Sequence, residues 1–170
     1  MNNQILKQKE LEEIEKNYDP QLSFRKLGVR LEIIVSVLLV LMSVYHFWAS
    51  GFGLVREVLH RGIHISFVLA LVFLLFGWNK KEDLKKTNKG YFYFQNIPIL
   101  DYIFAFLAVA SALYLPLLPS KELASIVGNP GSVDVFIGSI LIILTLEAAR
   151  RSVGSTLPII AIIFTLFALF

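Results

Sequence analysis

From Ile33 to Val55 the chain runs 23 residues without Asp, Glu, Lys or Arg. A helix rises about 1.5 Å per residue and the hydrocarbon core of a bilayer is about 30 Å thick, so about 20 apolar residues suffice to cross it. Backbone groups have no water to bond in that medium, which leaves the helix as the structure such a run can form. The pattern recurs. Residues 62–79 and 102–120 are free of the same charges, and a fourth run from Val133 to Ala149 is interrupted only by Asp134 and Glu147. Trp48 and Trp78 stand at run ends, where interfacial aromatics belong. The whole chain is 56% hydrophobic and 17% charged, against about 25% charged in soluble domains. These features predict an all-α integral membrane protein with four transmembrane helices.

The punctuation between runs sets the organisation. Pro116 and Pro119 close the third run, because proline disfavours further helix. After Arg150 and Arg151, Ser152-Val153-Gly154 is a stop signal. Ser155 or Thr156 then caps a new helix with Pro158 in its first turn, which describes a tight hairpin. The fifth apolar helix reaches Phe170 with no polar flank, so the chain reads as the N-terminal piece of a longer polypeptide. At the other end, residues 3–17 read as a soluble or interfacial helix, with Glu12 four before Lys16 and an apolar edge of Leu11, Ile14 and Tyr18; Asp19-Pro20 is expected to end it. The expected division is a cytoplasmic amphipathic arm at 1–28, a four-helix membrane domain at 29–150, and the start of a fifth helix at 151–170.

Orientation follows from Lys and Arg alone. Thirteen of the 16 lie before residue 33, between 79 and 100, or at 150–151. The alternate loops hold only Arg56, Arg61 and Lys121. This split places the N-terminus in the cytoplasm and the loops near 55 and 125 outside, in a multi-pass protein of the cell (inner) membrane. The charged first 30 residues lack the apolar core and small-residue cleavage site of a secretory leader, so the first run is expected to stay in the membrane. Cysteine is absent, which excludes disulfides, thiolate metal sites and thiol catalysis. The net charge of +3 forms no basic stripe interleaved with aromatics, so nucleic acid is not an expected partner; membrane lipid is. The tract GNPGS at 128–132 lacks the Gly-Lys-Ser/Thr ending of a phosphate loop.

Several residues could carry more than hydrophobicity. Glu147 and Arg151 are spaced i, i+4 at the end of the fourth run, where Arg150 and Arg151 also complement the helix dipole. Glu147 lies about one turn inside the apolar run. A carboxylate there is costly unless it faces another helix, so the residue is expected at a helix interface, with no second acid or nucleophile nearby to make it catalytic. The stretch LVREVLHR, 54–61, separates Leu54, Val55, Val58 and Leu59 from Arg56, Glu57, His60 and Arg61. It reads as an amphipathic surface helix on the outer side, contacting headgroups or docking an external protein. His60 and His64 are spaced for zinc, but no third ligand accompanies them and no metal is expected. His46 and His64 are expected to hydrogen-bond between helices, and Asp101 and Asp134 to act as N-caps.

Three segments resemble a known family: RGIHISFVLALVFLLFGW at 61–78, LDYIFAFLAVASALY at 100–114, and VDVFIGSILIILTLEAARRSVGSTLPIIAIIFTLFALF at 133–170. Together they are similar to the N-terminal region of fused TRAP-type transporter permeases, in which a four-helix small subunit is joined to a large one. The most specific element is Glu147, Arg150, Arg151 and Gly154 followed by Leu157 and Pro158. The resemblance implies a membrane scaffold in a secondary active transporter that takes up an organic anion, a carboxylate, driven by sodium. It also implies an extracytoplasmic solute-binding protein, of the TAXI type in many fused members, and a large permease domain or subunit that holds the substrate and sodium sites, leaving no cofactor in this chain. Rival readings are the small membrane subunit of a tripartite tricarboxylate carrier and a membrane-embedded enzyme using Glu147 and the arginines.

Overall fold

Gly28 has extended backbone, and the chain turns from it into α1, Val29–Phe52, the helix expected from the first apolar run. The computed structural model describes residues 24–25, 27–53, 56–78, 93–94 and 97–169. The interfacial helix expected at 3–17 and the basic loop at 80–89 lie outside them. Along the described chain follow α2 (Glu57–Leu75), β1 (Tyr93–Phe94), β2 (Ile97–Pro98), α3 (Ile99–Leu117), α4 (Ser120–Ile126), α5 (Ser132–Ser152) and α6 (Thr156–Leu169). Four of these, α1, α2, α3 and α5, are long and apolar enough to cross a membrane. The protein is thus helical with four candidate spans, as the uncharged runs require.

Three local features differ from the sequence expectation. Residues 57–61 form no separate surface helix; they are the first turns of α2. Gly53, in the left-handed region at φ 60, ends α1 with its N–H on the Ala49 carbonyl, and α2 starts within four residues of it. Pro116 lies inside α3 rather than at its end, where the missing N–H falls in the last turn and breaks little. The two-residue strands β1 and β2, paired antiparallel with Tyr93 opposite Pro98, and the short α4 carry no periodic signal long enough to be read.

Successive spans alternate in direction, so the start of α1, the end of α2, the start of α3 and the end of α5 share one end of the bundle. α2 is its centre. One side of α2 joins Leu69 and Phe73 to Ala105 and Ala108 of α3 and to Leu144 and Ala148 of α5. The other side sets Leu71 and Leu74 against Leu31 and Val35 of α1 and Ile97 of β2. Small residues make the α2–α3 seam close: Gly62 and Ser66 on α2 face Ala112 and Pro116, and Ala105, Ala108, Ser111 and Ala112 are all buried on α3. In lipid, where the hydrophobic effect between helices is lost, such small-residue faces allow the backbone approach that holds helices together. By contrast α1 buries only Leu31 and Val35, and most of α6 is exposed.

Candidate functional site, a buried ionic network at one end of the bundle

The end shared by the four spans carries the densest charge among the described residues. Asp101 falls in the first turn of α3 and Glu147, Arg150 and Arg151 in the last turns of α5, while Arg25 precedes α1. Asp101 makes no cap. Its Oδ1 accepts from Arg151 Nη1 at 2.8 Å and its Oδ2 from Arg25 Nη2 at 2.5 Å. Arg151 Nε donates to Glu147 Oε1 at 2.7 Å, the i, i+4 contact the spacing offers. Arg150 grips the same carboxylate through two bonds, Nε to Oε2 at 2.7 Å and Nη2 to Oε1 at 2.8 Å. Arg25 is further fixed by its backbone N–H, which donates to the Leu75 carbonyl at the end of α2. One connected network therefore joins the approach to α1, the end of α2, the start of α3 and the end of α5.

Burial sets the worth of these contacts. The side chains of Arg25, Asp101 and Arg151 are 3%, 4% and 0% exposed. Glu147 and Arg150, at 18% and 32%, sit toward the rim. The Arg151 guanidinium lies over the rings of Phe73, Trp78 and Phe104, 5.1 to 5.7 Å from their centroids. Its Nη2 has no hydrogen-bond partner among the described residues; ring faces supply the attraction there. Arg150 stacks over Trp78 at 4.7 Å, so the tryptophan expected as an interfacial anchor also lids the network. Helix dipoles favour an acid at the start of α3 and cations at the end of α5.

Chemically the network is closed. Each carboxylate accepts from two guanidiniums, and guanidinium does not give up its proton in a protein, so among the described residues of the network no group stands ready to accept or deliver one. That arrangement fits mechanical fastening. Gly154, at φ 109, carries the chain out of α5 with its N–H on the Ala149 carbonyl, and Pro158 is buried in the first turn of α6. The hairpin thus begins directly from the residues of the network.

The opposite end gathers the other residues singled out from the sequence. Arg56 donates from Nη2 to the Pro116 carbonyl at 2.9 Å and from Nη1 to Ser120 Oγ at 3.3 Å. It thereby serves a carbonyl in the last turn of α3, where no further helical N–H follows. Arg61 pairs with Glu57 on the exposed face of α2. His46 of α1 bonds His64 of α2 at 2.8 Å, and His60 meets the Tyr45 hydroxyl at 3.1 Å, so the histidines with helical spacing gain a third ring from another helix. Still, no set of three His, Asp or Glu side chains among the described residues converges to hold a metal ion. Asp134 accepts from the Gly131 N–H at 2.8 Å and from the Tyr114 hydroxyl at 2.7 Å, tying α5 to α3.

Spacing gives no sign of Asp101, Arg25, Phe73 or Phe104 as members of the network. The available signal is that Arg25, Asp101, Trp78 and Arg151 all border apolar runs, at ends that an alternating bundle brings together. Neither a model of any protein family, nor a curated protein, nor a solved structure matches the chain.

Proposed function

We propose that the chain is the membrane scaffold portion of a TRAP-type secondary transporter permease, working beside a large permease domain and an extracytoplasmic solute-binding protein. The observation that carries this reading is how the buried charges are used. Asp101 ties Arg25 to Arg151 of α5 from the start of α3, and Glu147 holds Arg150 and Arg151 within α5, so these charges are spent on one another, whereas a transport or catalytic site turns them toward a common cavity. The E-x-x-R-R-x-x-G segment that carries the sequence resemblance forms half of the network. The open faces of α1 and α6 suit helices packed against a larger membrane partner. In this reading the substrate and sodium sites belong to that partner, and the transported solute is an organic carboxylate.

Deletion of the coding segment tests the proposal. Membrane vesicles should lose sodium-driven, binding-protein-dependent accumulation of labelled dicarboxylates and amino acids, and restoring the segment should recover it; undiminished uptake of the whole panel refutes the scaffold role. The proposed orientation puts the ionic network at the cytoplasmic face. A topology reporter inserted after Gly90 is then expected inside and one at Gly128 outside, and the reverse pair of results overturns it.

A further inference from the structure

All three histidines of the chain meet at the end of the bundle opposite Arg151, where α1 and α2 face each other. We propose that this cluster is a proton-binding site that fastens the outer half of α1 to α2 and lets go when two of its rings are charged.

The proton positions follow from the acceptors. His46 Nδ1 lies 2.7 Å from the Met42 carbonyl oxygen, which only accepts, so Nδ1 carries the hydrogen. A neutral His46 therefore presents a bare Nε2. That atom is 2.8 Å from His64 Nδ1, which must be the donor, and the remaining His64 nitrogen is the one open to a proton. His64 is exposed. A first proton there leaves Nδ1–H in place and makes the bond to His46 charge-assisted, hence stronger. A second proton has to go to His46 Nε2, which sets N–H against N–H and brings two cations together, edge to face, with ring centroids 4.9 Å apart. The contact survives with no proton or one, and is lost with two.

His60 behaves differently. Its Nδ1 meets the Tyr45 hydroxyl at 3.1 Å and the rings stack. The hydroxyl either donates or accepts, so charging His60 does not break that contact. His60 does stand 5.4 Å from His46 between centroids, and its charge opposes a further one. The other ionisable groups facing the cluster are Tyr45 on α1 and Glu57, Arg61 and Arg56 on α2. Glu57 is engaged by Arg61, and Arg56 by the end of α3, so neither carboxylate relief nor a fresh anion is at hand. Lys121 and Glu122 on α4 and Asp134 on α5 lie at the same end; the recorded bonds of Asp134 go to Tyr114 and Gly131.

Release matters because α1 has little else there. Its apolar stripe meets the bundle through Leu31, Val35, Leu38 and Met42, all nearer the opposite end than His46. The absence of cysteine permits a direct test. Spin labels on Ser50→Cys and Ala124→Cys, in the whole chain in lipid nanodiscs, report the distance between the outer end of α1 and α4 across pH 8 to 5, the range in which imidazole titrates. The expected result is one narrow distance at high pH, replaced reversibly by a longer and broader one at low pH. His46→Gln and His64→Gln, made separately, should each remove the pH response, whereas His60→Gln should keep it. A wild-type distance that does not move with pH overturns the proposal. So does a response that persists in both His46→Gln and His64→Gln, which would assign it to the carboxylates.

Discussion

Asp101→Ala is expected to lower the stability of the bundle by about 3–5 kcal/mol, the range for stranding the partners of a buried ion pair. The substitution removes the carboxylate that bridges Arg25 and Arg151, whose side chains are 3% and 0% exposed, and leaves Arg151 its bond to Glu147. Neither can shed its charge. Asp101→Asn should lose nearly as much, because it keeps the shape and removes the anion. Glu147→Gln is expected to fall between this and a surface change: Arg150, 32% exposed, can turn toward headgroups, while Arg151 keeps Asp101. Glu57→Gln, breaking a pair whose side chains are 71% and 75% exposed, should shift stability by no more than about 0.5 kcal/mol. Reversible unfolding by SDS titration or heating in nanodiscs reads the series. If Asp101→Ala costs no more than Glu57→Gln, the network is not buried as described.

Gly62→Ala should be destabilising although alanine is the better helix former. In a helix interior that exchange ordinarily gains about 1 kcal/mol. Here the added Cβ would stand 2.3 Å from Pro116 Cγ and 3.0 Å from the Ala112 carbonyl oxygen. The proline ring is held in a helix and the oxygen is backbone, so neither yields as a long side chain would. Overpacking of this kind costs about 1–3 kcal/mol, and it falls on the tightest seam of the fold. Gly138, on α5, has nothing within 4 Å of its would-be Cβ, so Gly138→Ala should gain up to about 1 kcal/mol. The opposite signs are the test, measured by thermal unfolding. A gain at both positions would mean that α2 and α3 do not approach at Gly62.

The spans were legible because crossing a membrane is a property of a single segment: length and lack of charge suffice, and α1, α2, α3 and α5 follow. Within one helix the i, i+4 rule also reaches Glu147 with Arg151. It stopped at the helix boundary. Asp101 looked like a cap because it begins an apolar run, and its actual partners lie on other elements, brought to it by how α3 is rotated against α5. His46 and His64 read as helix-interface residues, but that they bond each other and that His60 joins them is not legible, since nothing in the chain between them states which face of α1 turns toward α2. LVREVLHR carries an amphipathic pattern, but periodicity does not tell a short surface helix from the first turns of a span.

The wide separation of the network's members along the chain has a consequence for synthesis. Arg25 and Asp101 are 76 residues apart, and Asp101 and Arg151 a further 50. A ribosome delivers α1 and α2 to the bilayer well before the first of these bonds can form, and the second waits until the whole of α5 has emerged. Arg25 must therefore wait at the headgroups until α3 brings Asp101, and Arg151, the last to arrive, links Asp101 to Glu147. A nascent chain cut short before Arg151 would keep its apolar helices but not the bond that ties α5 to the start of α3.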